Sequence, residues 1–96
     1  MKVNMQAVNF EANEWLLEYT EEKFRKLSQF YDQILSINVS FKLDNNNSKE
    51  NKVLDVRVEV PGDDIQVSKT GQAYEECVDL AYDTLRRQII KKKEKQ

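Results

Sequence analysis

The chain has 96 residues, a formal net charge of −2, one cysteine and no histidine. A chain of this length folds as a single domain with one thin core, and its lone cysteine excludes an internal disulfide bond. Because its apolar runs are too short for a signal peptide or a membrane span, the composition predicts a cytoplasmic protein, one domain over residues 1–96, without membrane contact.

The first two periodic segments predict a strand and then a helix. Val3, Met5 and Ala7 alternate with polar residues, as in a strand with one buried face. Asn13 is placed to cap the helix that follows. Its apolar stripe consists of Leu16, Phe24, Leu27, Tyr31 and Ile34. Its opposite flank carries Glu14, Glu18, Glu21, Arg25 and Asp32.

Three more strands follow in the middle of the chain. Apolar residues alternate with polar ones over 35–43, 54–60 and 65–67. A polar connection at 44–51 separates the first two, and the Pro-Gly-Asp-Asp segment at 61–64 makes a turn before the third. The predicted element order so far is therefore β-α-β-β-β.

The final strand ends before Gly71, and from about Gln72 the apolar period is helical. The stripe of this second helix consists of Tyr74, Cys77, Val78, Ala81, Leu85 and Ile89. No apolar residue follows Ile90, so we expect the helix to extend beyond its core. The extension is basic: residues 86–96 carry six basic and one acidic side chain (+5), whereas residues 1–85 carry nine and sixteen (−7).

These elements predict an α+β fold. Strands with one polar face are not buried on both sides, so we expect a two-layer sandwich: a mainly antiparallel four-stranded sheet with both helices on one face. Its core is expected to comprise Leu16, Phe24, Leu27, Ile37, Val39, Phe41, Val56, Val58, Val78, Ala81 and Leu85.

The side chains that enzymes use are scarce. Without histidine there is no His-based acid–base catalysis, catalytic triad or His metal ligand, and one cysteine rules out a thiolate zinc site. Two glycines do not form a phosphate-binding loop, and Asp63-Asp64 is better read as a solvated turn than as a cation site. The sequence therefore predicts no catalytic residue, metal, cofactor or small-molecule substrate.

The basic end of the second helix has two interpretations. Cations in the last turns of a helix are favoured by its macrodipole without any partner. Lys23 and Lys26, at the edge of the first helix's apolar stripe, favour a second reading, because side-by-side helices would let them border one groove with Arg87, Lys91 and Lys95. Such a basic strip on an acidic body suits a phosphate backbone.

Several short motifs carry a resemblance to a known family. They are Lys23-Phe24-Arg25-Lys26-Leu27, Val60-Pro61-Gly62, Gly71-Gln72, Asp79 and Leu85-Arg86-Arg87-Gln88-Ile89 with the lysines that follow. In this order, from about Val3 to Lys93, the chain resembles the ribosome hibernation promoting factor and ribosome-associated inhibitor A family, also called the sigma-54 modulation protein family. It departs from the family pattern at Ala73-Tyr74-Glu75, where the family often has Asp-Met-Tyr.

The resemblance implies a fold related to the double-stranded RNA-binding domain, and a protein that is monomeric when free. It also implies that the partner is the small ribosomal subunit and its ribosomal RNA, bound in the groove between head and body, where messenger RNA and tRNA are blocked and idle ribosomes silenced. The chain resembles the short form, without the C-terminal domain of the long form that joins two ribosomes. The implied RNA-binding residues are Lys23, Lys26, Arg86, Arg87, Lys91, Lys92, Lys93 and Lys95.

Two other functions stay open at the level of the sequence. One is a general RNA-binding module acting on free structured RNA, although no second basic loop that would reach a neighbouring groove is visible. The other is a protein-interaction domain that uses its acidic face, with the lysine-rich end serving only solubility.

Overall fold

The computed structural model describes residues 1–44 and 49–95. The elements follow the expected order: β1 Lys2–Ala7, α1 Glu14–Arg25, β2 Ser36–Leu43, β3 Lys52–Glu59, β4 Ile65–Gly71 and α2 Tyr74–Glu94. The expected connection at 44–51 lies partly outside the described residues. At its ends, the Asp44 N–H donates to the Asn51 carbonyl at 2.8 Å.

The sheet is mixed, with strand order β1-β2-β3-β4. β2 pairs antiparallel with β3, and β3 with β4, as expected for strands joined by short connections. β1 and β2 are parallel, with Val3 opposite Ile37. The expectation of a mainly antiparallel sheet is therefore corrected at β1, because a strand joined to its neighbour through a crossover helix returns to the same end of the sheet.

The core lies between one face of this sheet and the two helices. All eleven positions predicted for it are buried. Ile37, Val39 and Phe41 are buried on β2, whereas the intervening Asn38 and Ser40 lie on the opposite, polar face of the sheet. The sequence predicted a buried alternation from Leu35 to Leu43, and this was too long at both ends. Leu35 precedes β2 and is 62% exposed, and Leu43, the last residue of β2, is 46% exposed.

Helix α1 is shorter than its apolar stripe. Asn13 caps it as predicted, with its side-chain oxygen accepting from the Leu16 N–H at 2.8 Å. The α-helix ends at Arg25, and Lys26–Gln29 form one 3₁₀ turn. At this junction the Ser28 hydroxyl donates to the Arg25 carbonyl at 2.8 Å, which satisfies a backbone group that the α-helix leaves unpaired.

Helix α2 extends beyond the core, as predicted. Its last buried residue is Ile89, and the helix continues to Glu94. It begins after Ala73, which occupies the N-cap position without a side-chain hydrogen bond.

Upstream, Gly62 has φ +88° in the turn at 61–64, a conformation that glycine adopts without strain. In the described part of the chain, neither helix is long and apolar enough to cross a membrane.

Candidate nucleic-acid interface

Helices α1 and α2 lie side by side and run in the same direction. Tyr19 contacts Asp79, Lys23 lies over the ring of Tyr82, and Arg86 lies over the ring of Phe30. Residue numbers thus rise together along both helices. This direction follows from the sheet, since β2 and β4 are parallel and each helix runs back along the sheet from the strand before it.

Because the two helices are parallel, their acidic and basic side chains lie at opposite ends of the helical layer. The carboxylates that precede Lys23 on α1, together with those in the N-terminal half of α2, form what we call the acidic end: Glu14, Glu18, Glu21, Glu22, Glu75, Glu76, Asp79 and Asp83. The C-terminal segments form what we call the basic end: Lys26, Arg86, Arg87, Lys91, Lys92, Lys93 and Lys95. Both placements are favourable for the helix macrodipoles, and together they give the helical layer one negative and one positive end.

Lys23 lies in the seam between the helices. Its Nζ lies 3.0 Å from Asp79 Oδ1 and 5.2 Å from the centre of the Tyr82 ring. The hydrogen bond with Asp79 raises the pKa of Lys23, so the side chain stays charged, but that charge is shared with a carboxylate. Among the described residues, Lys23 is the predicted RNA-binding residue whose charge is already paired with a carboxylate.

Asp79 joins α2 to two residues of α1. Besides the ion pair with Lys23, it accepts a hydrogen bond from the Tyr19 hydroxyl at 2.5 Å. Partial burial by itself would raise the pKa of Asp79, but the hydrogen bonds from Tyr19 and Lys23 outweigh it and lower the pKa. The same hydrogen bond raises the pKa of Tyr19. Asp79, noted in the sequence as a family motif, therefore fixes the packing of the two helices.

Lys26 and Arg86 lie on the α1 side of the basic end. Lys26 is exposed and borders a shallow depression together with Tyr19, Glu22 and Lys23. The Arg86 guanidinium lies 5.4 Å from the centre of the Phe30 ring, in a cation–π contact.

Arg87 and Lys91 lie on a different side of α2. They border a separate depression lined also by Thr84, Gln88, Ile90 and Glu94. Arg87 lies about 100° around the helix from Arg86, so it faces outward when Arg86 faces α1. The structure therefore does not place Lys23 and Lys26 in one groove with the flank of Arg87, Lys91 and Lys95. The two sets share an end of the helical layer instead.

The remaining lysines continue the basic end. Lys92 is half-buried, with its Nζ 3.5 Å from where a Cβ on Gly62 would stand, so it lies over the turn at 61–64. Lys93 and Lys95 are exposed, and Lys95 caps the helix.

The basic end concentrates cations that have no carboxylate partner among the described residues. The cations in ion pairs among the described residues are Lys23, Arg25, Lys42 and Arg57. On the open face of the sheet, for example, Lys42 lies 2.8 Å from Asp55, and Arg57 lies 3.1 Å from Glu59. In the described part of the chain, no cation of the basic end is paired with a carboxylate. This concentration of unpaired charge was only partly predicted, because pairing depends on residues distant in sequence.

The structure offers no catalytic arrangement at Cys77. The thiol is buried, and burial raises its pKa, so it remains protonated and unreactive. It donates a weak hydrogen bond to the Lys52 carbonyl at 3.6 Å. Within 1–44 and 49–95, no group of three or more His, Cys, Asp or Glu side chains is arranged to hold a metal ion.

The fold and the basic end define a small α+β domain with a positively charged surface at one end of its helices. Residues 3–96 match the family model described as Sigma 54 modulation protein / S30EA ribosomal protein, and the chain belongs to this family. It is therefore a binding protein and not an enzyme, in agreement with its side-chain inventory.

Relatives match over nearly the full chain. The ribosome hibernation promoting factor of Escherichia coli (strain K12) is 34% identical over 95 residues, covering 99% of this chain and 96% of the relative. A ribosomal subunit interface protein from Coxiella burnetii superimposes with a TM-score of 0.85 at 27% identity, covering 97% of this chain and 98% of that one. The N-terminal domain of Thermus thermophilus Protein Y has the same fold, with a TM-score of 0.80 at 22% identity and coverages of 95% and 98%.

Proposed function

We propose that this protein is a ribosome-associated hibernation factor. Its basic end binds ribosomal RNA of the small subunit in the decoding groove and blocks the sites of messenger RNA and tRNA. Family membership and a relative named ribosome hibernation promoting factor support the ribosomal role. Because its partner would be the ribosome, the protein would act in the cytoplasm.

The observation that carries the proposal is the unpaired charge of the basic end. A phosphate that meets a paired lysine must compete with a carboxylate, whereas a phosphate that meets Lys91 or Lys93 displaces only water and counterions. Seven such cations project from one end of the helical layer. The acidic end is repelled by RNA, so the domain binds with its basic end foremost.

The RNA-contacting residues are assigned by their exposure and pairing. Lys26, Arg86, Arg87 and Lys91 supply contacts near the body of the domain, and Lys93 and Lys95 supply contacts at the protruding tip of α2. Lys92 lies close to the turn at 61–64 and contributes from there. Lys23 makes a weaker contact, because its charge is shared with Asp79.

Inhibition follows from occupancy and requires no catalytic group. A monomer lodged in the decoding groove excludes messenger RNA and tRNA by volume and charge, one ribosome for each protein bound. Inhibition of translation is therefore stoichiometric, and initiator tRNA with messenger displaces the protein. Complete inhibition by protein present far below the ribosome concentration would contradict this mechanism.

Charge reversal at the basic end tests the proposal. The variant changes Lys26, Arg87, Lys91 and Lys95 to Glu, all exposed and without ion pairs among the described residues. We expect it to fold normally and to lose co-sedimentation with small ribosomal subunits. Each lost phosphate contact should also reduce the slope of log affinity against log salt by about one unit.

The matched control reverses the same number of charges elsewhere. It changes Lys2, Lys49, Lys52 and Lys69 to Glu, which gives the same net charge but leaves both helices unaltered. We expect this variant to retain ribosome binding. Equal losses in the two variants would show that net charge, and not the basic end, governs binding. Equal affinity of the unmodified protein for ribosomes and for free duplex RNA would favour a general RNA-binding module.

A further inference from the structure

An exposed aromatic stack lies at the acidic end. Its outer ring is Trp15, and its inner ring, Tyr19, has Lys23 Nζ 5.9 Å from its centre. Trp15 is 55% exposed, although it is the largest side chain in the protein. Its ring stacks on Tyr19 with centroids 5.2 Å apart and an interplanar angle of 13°. One face of the indole is thus covered by Tyr19, and the opposite face is available to a partner.

The stack is held in place before any partner binds. The Tyr19 hydroxyl donates to Asp79 on α2, which is also paired with Lys23, so the supporting ring is fixed to both helices. A partner that stacks on Trp15 therefore loses little entropy in ordering the site. Such rigid, half-exposed aromatic residues are typical anchors of protein interfaces.

The charges around the stack select the partner. Trp15, Glu18 and Glu22 lie at i, i+3 and i+7 and share one face of α1. Glu22 borders the same depression as Tyr19, together with Lys26 and with Lys23, whose charge is paired with Asp79. Glu75 on α2 contributes to the raised pKa of Tyr19, after the larger effect of the hydrogen bond to Asp79. A nucleotide stacked on Trp15 would bring its phosphate towards these carboxylates, so a base is a poor occupant.

We infer that the Trp15–Tyr19 stack binds an arginine-bearing basic segment of a protein partner. The planar guanidinium of arginine stacks on the free face of Trp15 with its donors towards Glu18, a combination that lysine does not reproduce. A further cation of the same segment meets Glu22. This surface adjoins Lys26 of the basic end, which lines one depression with Tyr19 and Glu22. It uses none of the cations assigned to RNA and does not rest on the ribosomal role. The protein would then hold RNA at one end of its helices and a basic protein segment at the other.

Titration of the intact protein with short labelled peptides tests the inference. The probe is an arginine-rich peptide, and its matched control carries citrulline, the uncharged isostere, in place of each arginine. Because Trp15 is the single tryptophan, its fluorescence reports binding at the site directly. We expect the arginine peptide to bind saturably at low salt and to change Trp15 emission, and the citrulline peptide to do neither.

Variants then separate the site from general acidity. Trp15→Ala should weaken binding of the arginine peptide, measured by anisotropy, by roughly 3- to 30-fold, and E18Q/E22Q should weaken it as well. Glu21→Gln is the control on the same helix, because Glu21 is paired with Arg25. The control should bind the peptide like the unmodified protein.

Three results would overturn the inference. They are absence of saturable binding at low salt, unchanged affinity in Trp15→Ala, and a response of Trp15 to single-stranded oligonucleotide but not to peptide. None of them bears on ribosome co-sedimentation, so the two proposals stand or fall separately.

Discussion

The acidic and basic ends of the helical layer differ in how their charges are balanced. At the acidic end, Asp79 is bonded to Tyr19 and Lys23, and Glu21 is paired with Arg25. At the basic end, the lysines from 91 to 95 and both arginines have no carboxylate partner within the described residues. One end therefore contributes ion pairs to the fold, whereas the other leaves its cations to solvent or to a partner.

This difference shows how a chain with a net charge of −2 can present a strongly basic surface. Two parallel helices with acids in their first turns and bases in their last turns produce the separation with favourable dipole interactions at both ends. A domain with randomly distributed charges of the same total would not orient itself on an anionic surface.

Leu27→Ala should have the largest effect on stability. Leu27 is fully buried in the 3₁₀ turn beside Lys26, so it holds the α1 side of the basic end against the core. We expect a loss of about 2–5 kcal/mol in the free energy of unfolding, measured by urea denaturation. Leu35→Ala is the control, because Leu35 is 62% exposed and its truncation should cost little. Similar losses in both would show that the core is misplaced.

Asp79→Asn should destabilise the seam between the helices by about 1–2 kcal/mol at neutral pH. The effect is small because the Lys23 and Asp79 side chains are 27% and 44% exposed, so solvent screens the ion pair. The pKa of Asp79 is lowered in the folded state, so its contribution is present above the unfolded value of about 3.9 and is lost as the pH falls through the folded value. The difference between variant and unmodified protein should therefore shrink in acid. A constant difference across that pH range would mean that the carboxylate charge is not what holds the seam.

Single neutralisations should show that unpaired cations contribute more to ribosome binding than paired ones. Lys91→Gln should weaken ribosome binding by roughly fivefold at low salt and lower the salt slope by about one unit, because Lys91 has no carboxylate partner in the part of the chain that the structure describes. Lys42→Gln serves as the comparison, since Lys42 is already neutralised by Asp55 at 2.8 Å. Titrations at several salt concentrations measure both slopes, and equal slopes for the two variants would count against the distinction between paired and unpaired cations.

Ala73→Ser should have the smallest effect and should be stabilising. Ala73 has the extended backbone of an N-cap, φ −141° and ψ 147°, but no side-chain acceptor. A serine there can accept from the first turn of α2 and should add about 0.5–1 kcal/mol. Thermal unfolding checks this, and ribosome binding should not change, because the acidic end makes no RNA contact. Weaker binding with unchanged stability would place the start of α2 in the interface.

Much of the fold was predictable because burial imposes periods that the chain displays. The alternation around Val39 predicted β2, the stripe through Val78 and Leu85 predicted α2, and Asn13 predicted the start of α1. The end of α1 was not predictable from its stripe, since Leu27 stays buried whether the turn is α or 3₁₀. Parallel pairing of β1 was missed because alternation identifies the buried face of a strand but not its direction.

The sequence predicted which basic residues make up the candidate site, but only part of their spatial arrangement. The lysine-rich end of α2 and Lys26 were visible as an excess of charge. The pairing of Lys23 with Asp79 was not, because it depends on two helices meeting in one register. The same register places Arg86, and not Arg87, against α1.

Directed cleavage of ribosomal RNA tests the orientation of the bound domain most directly. Because Cys77 is buried, a hydroxyl-radical generator attached through Lys93→Cys or Glu14→Cys labels one end at a time. With the label at Lys93→Cys, we expect strong cleavage of small-subunit RNA lining the decoding groove, and with the label at Glu14→Cys weak cleavage or none there. Equal cleavage from both ends, or stronger cleavage from the acidic end, would contradict binding through the basic end.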